Sequence, residues 1–217
     1  MQLPEARHSK WLLCLGVSFC ALVLMVWPNA LIDFRYDRTG LESGQWWRIA
    51  TGHVVHLNVA HLLLNLFGLF LVCEVLWRGL PWPHGCALLF FSATGTSALL
   101  WWLHPELAWY AGLSSVVHGL WAGCALAGWW SMQTRDAASA ATDGMIQMRW
   151  ASSRYFFMGA LTLLALKLGL EAVYGPSPHT ERIIEGQVIS MSHLYGALTG
   201  LVYVSIWRGV AGLPSRK

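Results

Sequence analysis

Charge is what this sequence has least of. Lys, Arg, Asp and Glu together make up 12% of the 217 residues, while 56% are hydrophobic. A soluble domain carries roughly a quarter charged residues, so the deficit argues against a water-soluble fold and for a membrane protein. The net charge of +3 comes from basic residues scattered among short loops, and no basic stripe offers a footprint for nucleic acid. The five cysteines (Cys14, Cys20, Cys73, Cys86, Cys124) lie within or at the ends of apolar runs. Their odd number and the lack of CxxC or Cys/His zinc spacing argue against a disulfide framework and a zinc site, and leave them as small hydrophobes. No internal repeat or low-complexity segment stands out. Nor is there room for a separate soluble domain, so residues 1–217 are read as one membrane domain.

Long apolar runs are what is present. They lie near 11–27, 57–77, 85–103, 111–132, 155–173 and 188–207, each close to the ~20 residues that cross hydrocarbon as a helix. A backbone in lipid must satisfy its own polar groups, so these runs predict an all-α bundle of six transmembrane helices. The start, Arg7-His8-Ser9-Lys10 followed by Trp11 to Trp27, has the charge order of a secretory signal. No small-x-small cleavage site follows it, and an uncleaved first span is expected. The 14 Trp and 6 Tyr suit a chain with many lipid–water boundaries.

Lys and Arg counted in alternate loops set the orientation. With the N-terminus inside, the inner segments hold Arg7, Lys10, Arg78, Arg135, Arg149, Arg154, Arg208, Arg216 and Lys217. The outer ones hold Arg35, Arg38, Arg48 and Arg182. The excess predicts both termini in the cytoplasm and a cytoplasmic linker over 133–153. Spans two, four and six then all enter from the outer face, so residues near their starts share a depth.

Polar residues sit at those starts. His61 and Asn65 are four apart in span two, Ser114 and His118 four apart in span four, and His193 lies near the start of span six. A four-residue separation places each pair on one helix face. At ~1.5 Å rise per residue, His61, Ser114 and His193 each lie roughly 5–10 Å below the outer boundary. Ionisable groups at such depth are costly and mark function. Ser114 alone reads as a helix cap; with His193 as a base it becomes a candidate nucleophile. His61, Asn65 and the Ser114 backbone N–H are candidate donors to an oxyanion. Gly119-x-x-x-Gly123 and Gly196-x-x-x-Gly200 are small-xxx-small pairs that permit spans four and six to approach closely.

Other polar residues have plainer readings. His53 and His56 have HxxH spacing, but no carboxylate or cysteine completes a ligand set, and packing or loop contacts are expected. Lys167 and Glu171 form an i, i+4 pair near the outer end of span five; they read as an interfacial ion pair or as a gate that contacts substrate. Glu74 is expected at a helix end near Arg78. Asp33, Arg35, Asp37 and Arg38 are expected to brace the first outer loop.

His61-x-x-x-Asn65, Gly112-Leu113-Ser114 and His193-x-x-Gly196-x-x-x-Gly200 resemble, in order and span, the motifs of the rhomboid intramembrane serine proteases, as does Trp46-Trp47-Arg48. The likeness covers essentially the whole chain. Thr51-Gly52-His53-Val54-Val55-His56-Leu57-Asn58, Leu62-Leu63-Leu64-Asn65 and His193-Leu194-Tyr195-Gly196-Ala197-Leu198 are similar to the rhombosortase subgroup. The resemblance implies a catalytic Ser114–His193 dyad with no acidic third member and no metal or cofactor. It also implies oxyanion stabilisation by His61 and Asn65, with Gly112, His118, Gly196 and Gly200 in support. Ser115 departs from the glycine that most rhomboids carry after the nucleophile, and His118 stands where many carry an aromatic residue stacked on the catalytic histidine.

The subgroup implies a multi-pass enzyme of the bacterial inner membrane with its site open to the periplasmic side. Its partners would be the lipid bilayer and transmembrane substrates with a C-terminal Gly-Gly motif, a hydrophobic anchor and basic residues. Two rivals stand beside it: an inactive rhomboid-like protein that binds membrane helices, and a metal- or haem-binding protein built on His53, His56, His61, His118 and His193.

Overall fold

Small residues decide how closely the central helices approach, and that approach organises the fold. In a computed structural model that describes residues 4–140 and 154–211, six longer helices occur: α1 (Pro4–Val26), α5 (Val59–Val75), α6 (Trp82–Leu103), α7 (Ser114–Ala140), α8 (Arg154–Tyr174) and α10 (Ser190–Ala211). Short elements join them: α2 (Ala30–Phe34), β1 (Tyr36–Asp37), α3 (Arg38–Glu42), α4 (Arg48–Thr51), β2 (Trp109–Tyr110) and α9 (Pro178–Ile184). Among the described residues, α6 and α8 are long and apolar enough to cross a membrane, and Lys10–Val26 and Val59–Val75 are shorter apolar helices.

The helices differ from the expected runs at their ends, for local reasons. The first begins at Pro4 rather than near residue 11. The second begins at Val59 because the Asn58 side chain accepts from the backbone N–H of His61 at 2.8 Å, which caps it. The fourth begins at Ser114, not 111, because Tyr110 lies in β2 and Gly112 has a φ of 124°, a conformation suited to glycine. It also continues to Ala140, so the start of the expected linker is helical, whereas 141–153 lie outside the described residues. Arg149, Arg216 and Lys217, counted for orientation, also lie outside them.

Packing is closest between α7 and α10. A Cβ at Gly196 would strike the backbone carbonyl of Ser115, and one at Gly200 would strike that of Gly119. A Cβ at Gly119 would in turn meet Ser92 of α6 and the Gly196 carbonyl. Backbone therefore lies against backbone in the N-terminal halves of α7 and α10, as small residues allow.

The surface is inverted relative to a soluble protein. Leu12, Phe19, Phe67, Phe90, Leu166 and Ile206 point outward, whereas His53, Asn65, Ser97, Ser115 and His193 are buried. An apolar exterior of this extent is one that lipid would cover. Glu74 lies at the end of α5 beside Arg78, which reaches its carbonyl, and its carboxylate meets the Lys10 ammonium of α1 at 3.0 Å.

The segment between α1 and α5 is held by two arginines. Arg48 donates to the carbonyls of Ile32 and Arg35 and to Gln45 Oε1. Arg38 donates to the carbonyls of Trp101 and His104 at the end of α6, where acceptors lack helical partners. Arg35 pairs with Asp37 at 3.1 Å. Burial raises the Asp37 carboxyl, but hydrogen bonds from Thr39, Gly40 and Arg35 prevail and hold it below its ordinary range. β1 pairs antiparallel with β2, Tyr36 opposite Tyr110, so this loop is tied to the residues just before Ser114.

Gly196→Ala is expected to lower the thermal unfolding midpoint in detergent, since overpacking costs about 1–3 kcal/mol. Gly159→Ala on α8, where a Cβ meets nothing within 4 Å, is expected to leave it unchanged or slightly raised. Equal midpoints for the two variants would contradict this packing.

Candidate active site

The entry to α7 sets the site. Gly112 donates its N–H to the Gly52 carbonyl at 2.9 Å and accepts at its own carbonyl from the Tyr110 hydroxyl at 2.7 Å. These contacts hold the positive φ and deliver Ser114 to the first helical position. The close approach of α10 then brings His193 to it, with His193 Nε2 3.0 Å from Ser114 Oγ.

Three neighbours hold the His193 ring. Ser114 faces Nε2, and the carboxylate of Glu171 on α8 lies 2.9 Å from Nδ1. The His118 ring stacks on its face, with centroids 4.2 Å apart and planes 12° apart. His118 is itself fixed by donating from Nδ1 to the Ser114 carbonyl at 2.6 Å. The second Glu171 oxygen receives the Lys167 ammonium at 2.6 Å, so the expected i, i+4 pair is present. The histidine contact of Glu171 was not legible in that spacing.

Beside Ser114 are two donors without partners among the described residues. The Leu57 N–H donates to His61 Nδ1 at 3.4 Å, which places the proton of a neutral ring on Nε2. That Nε2 faces Gly112, 2.8 Å from where a Cβ there would stand. Asn65 Nδ2 lies 3.6 Å from the same point and has no hydrogen-bond partner among the described residues. A side chain at Gly112 would fill the space on which both donors converge. His56 lies edge-on to His61, with centroids 5.1 Å apart.

Ser115 is turned the other way, into a buried chain of hydrogen bonds. Ser97 has one proton, which it donates to the Ile49 carbonyl at 2.8 Å, so it accepts from His53 Nε2 at 2.9 Å. His53 Nδ1 is then bare and accepts from the Ser115 hydroxyl at 3.0 Å. The direction of every proton follows from the network. Ser115 links α7 to α6 through His53; Ser114 alone of the two serines reaches His193. Sequence reasoning placed His53 among loop contacts and missed this chain, which depends on the turn at 52–57 folding against α6.

The site opens into a cleft of about 760 Å³ lined by His61, Asn65, Ser114, His118, Glu171 and His193, with Ile184–Met191 along one side. An apolar groove of about 620 Å³ runs on from Asn65, Ser114 and His118 between α5 and α8, past Gly68, Leu71 and Leu163. The arrangement supplies a hydroxyl beside an imidazole, two unpartnered donors and an apolar approach.

His53→Ala leaves the Ser115 donor and the Ser97 acceptor without their buried partner, a loss of about 1–3 kcal/mol each where water cannot enter. A clearly lowered thermal midpoint is the expected outcome, and an unchanged one would show that the chain does not brace α7.

Residues 43–209 match the family described as the Rhomboid domain. Among curated proteins, none matches the chain. The family match covers most of the sequence and includes every residue placed in the site. The chain belongs to the rhomboid family, and it is an integral membrane protein of a family of intramembrane serine proteases.

Proposed function

We propose that Ser114 is the nucleophile and His193 the general base of a peptidase that cuts transmembrane substrates. The observation that carries this reading is the 3.0 Å contact between Ser114 Oγ and His193 Nε2 beside the converging donors of His61 and Asn65. His193 takes the Ser114 proton as Oγ bonds to the substrate carbonyl carbon. The carbonyl oxygen becomes an oxyanion in the space over Gly112, where His61 Nε2–H and Asn65 Nδ2–H donate to it. Such a donor contributes ~10²–10³ in rate. His193 then passes its proton to the leaving amine, and water releases the acyl group by the same steps in reverse. Gly112, His118, Gly196 and Gly200 act in support: space for the oxyanion, orientation of the base, and approach of its helix.

The finer reading is a rhombosortase of the bacterial inner membrane. The six longer helices each cross the bilayer, both termini are cytoplasmic, and the cleft faces the periplasm. Supporting this are the excess of inner Lys and Arg and the outward-facing apolar side chains. The substrate is a secreted protein anchored by a C-terminal Gly-Gly motif, an apolar span and basic residues. The groove between α5 and α8 admits its helix from lipid, and the glycines, poor helix formers, unwind into the cleft. No cofactor takes part.

A reporter with a Gly-Gly anchor, coexpressed with this protein, tests the reading by mass spectrometry of the reporter's C-terminus. Cleavage beside the glycines is expected with the wild type and not with Ser114→Ala or His193→Ala. Replacing the reporter glycines with leucine is expected to slow cleavage. A fully active Ser114→Ala variant would refute the assignment of the nucleophile; equal cleavage of the leucine reporter would refute the role of the glycines.

A further inference from the structure

The resemblance implies a dyad in which nothing acidic attends the histidine, yet a carboxylate does so here. We propose that Glu171 is a positioning residue for His193, making a Ser114–His193–Glu171 relay in which Lys167 anchors the acid. The proposal rests on the reading of Ser114 as nucleophile and His193 as base.

The geometry gives each carboxylate oxygen a separate task. Glu171 Oε1 meets Lys167 Nζ at 2.6 Å and Oε2 meets His193 Nδ1 at 2.9 Å. An interfacial ion pair would have no need of the second contact, and its acid would face water. Instead the Glu171 side chain is 16% exposed against 36% for Lys167, so the carboxylate is the inward member. Its lone pairs can only accept, so the proton of a neutral His193 ring sits on Nδ1 and the lone pair of Nε2 faces Ser114. That is the tautomer a base needs. Without the acid, the stack on His118 would fix the plane of the ring but not its protonated nitrogen.

Charge balance gives a second reason. Lys167 and Glu171 together are neutral before reaction. When Ser114 Oγ bonds to the carbonyl carbon, its proton moves to His193 Nε2 and the carbonyl π electrons move to oxygen. The step creates an imidazolium and an oxyanion at buried side chains, where an unpaired charge is expensive. Glu171 lies against the imidazolium and stays ionised throughout, while His61 and Asn65 attend the oxyanion. The other ring facing His193, that of His118, carries no negative charge to do this. Acid, base and nucleophile thus come from α8, α10 and α7.

The test uses the full-length protein in detergent micelles and a biotinylated fluorophosphonate. The probe forms a phosphorus–oxygen bond with Ser114 as fluoride leaves and His193 accepts the proton. Maximal labelling rate, half-saturating probe concentration and thermal midpoint are measured for the wild type and for Glu171→Gln, Glu171→Asp and Ser114→Ala.

Loss of the acid in a serine relay lowers turnover by up to ~10⁴. Glu171→Gln is therefore expected to slow maximal labelling about 100-fold or more, with half-saturation and midpoint unchanged. Glu171→Asp is expected to recover part of the rate. A Glu171→Gln rate within about threefold of wild type would overturn the proposal. So would a slow variant whose midpoint has fallen and which Asp does not rescue, since that marks a structural role. If the wild type is not labelled, or Ser114→Ala labels equally well, the assignment of the nucleophile fails, and the relay with it.

Discussion

Backbone contact between α7 and α10 is the constraint on which the rest depends. Ser114 and His193 are 79 residues apart, and a hydrogen bond between two side chains this short requires their helix axes to lie unusually close. Gly196 against the Ser115 carbonyl and Gly200 against that of Gly119 provide the approach. In lipid no hydrophobic driving force presses helices together, so van der Waals contact of this kind and interhelical hydrogen bonds must do so. The feature that assembles the site is thus the same one that holds the helices together.

Around that contact the interior is polar where a soluble core would be oily. Ile49, Ser97, His53 and Ser115 form one chain of hydrogen bonds; Ser114, His193, Glu171 and Lys167 form another. They meet at adjacent residues of α7, where successive side chains point in different directions. One chain anchors the start of α7 to α6, and the other leads from it into the cleft. Because the first takes up Ser115, the second serine of the pair is removed from competition for His193.

Much of the site was legible because polar residues are scarce in these apolar runs. His61, Asn65, Ser114 and His193 stand out by their cost in lipid, and the fold brings all four to one cleft. What escaped was whatever depends on rotation or on irregular backbone. Glu171 faces His193 only because of how α8 is turned about its own axis, which neighbouring helices decide. The partner of His53 depends on the fold of residues 52–57, which has no periodicity to read. Spans could be drawn from hydropathy, yet α7 and α10 fall short of the apolarity that α6 and α8 reach. They devote positions to the Ser, His and Gly that the site and its packing require.

The slight embedding of α8 has a mechanical consequence. Of its 21 residues only Phe157 and Leu164 are buried, and the helix forms one wall of the apolar groove as well as carrying Glu171. Width of the groove and the grip on the His193 ring are therefore two readings of one dial, the placement of α8.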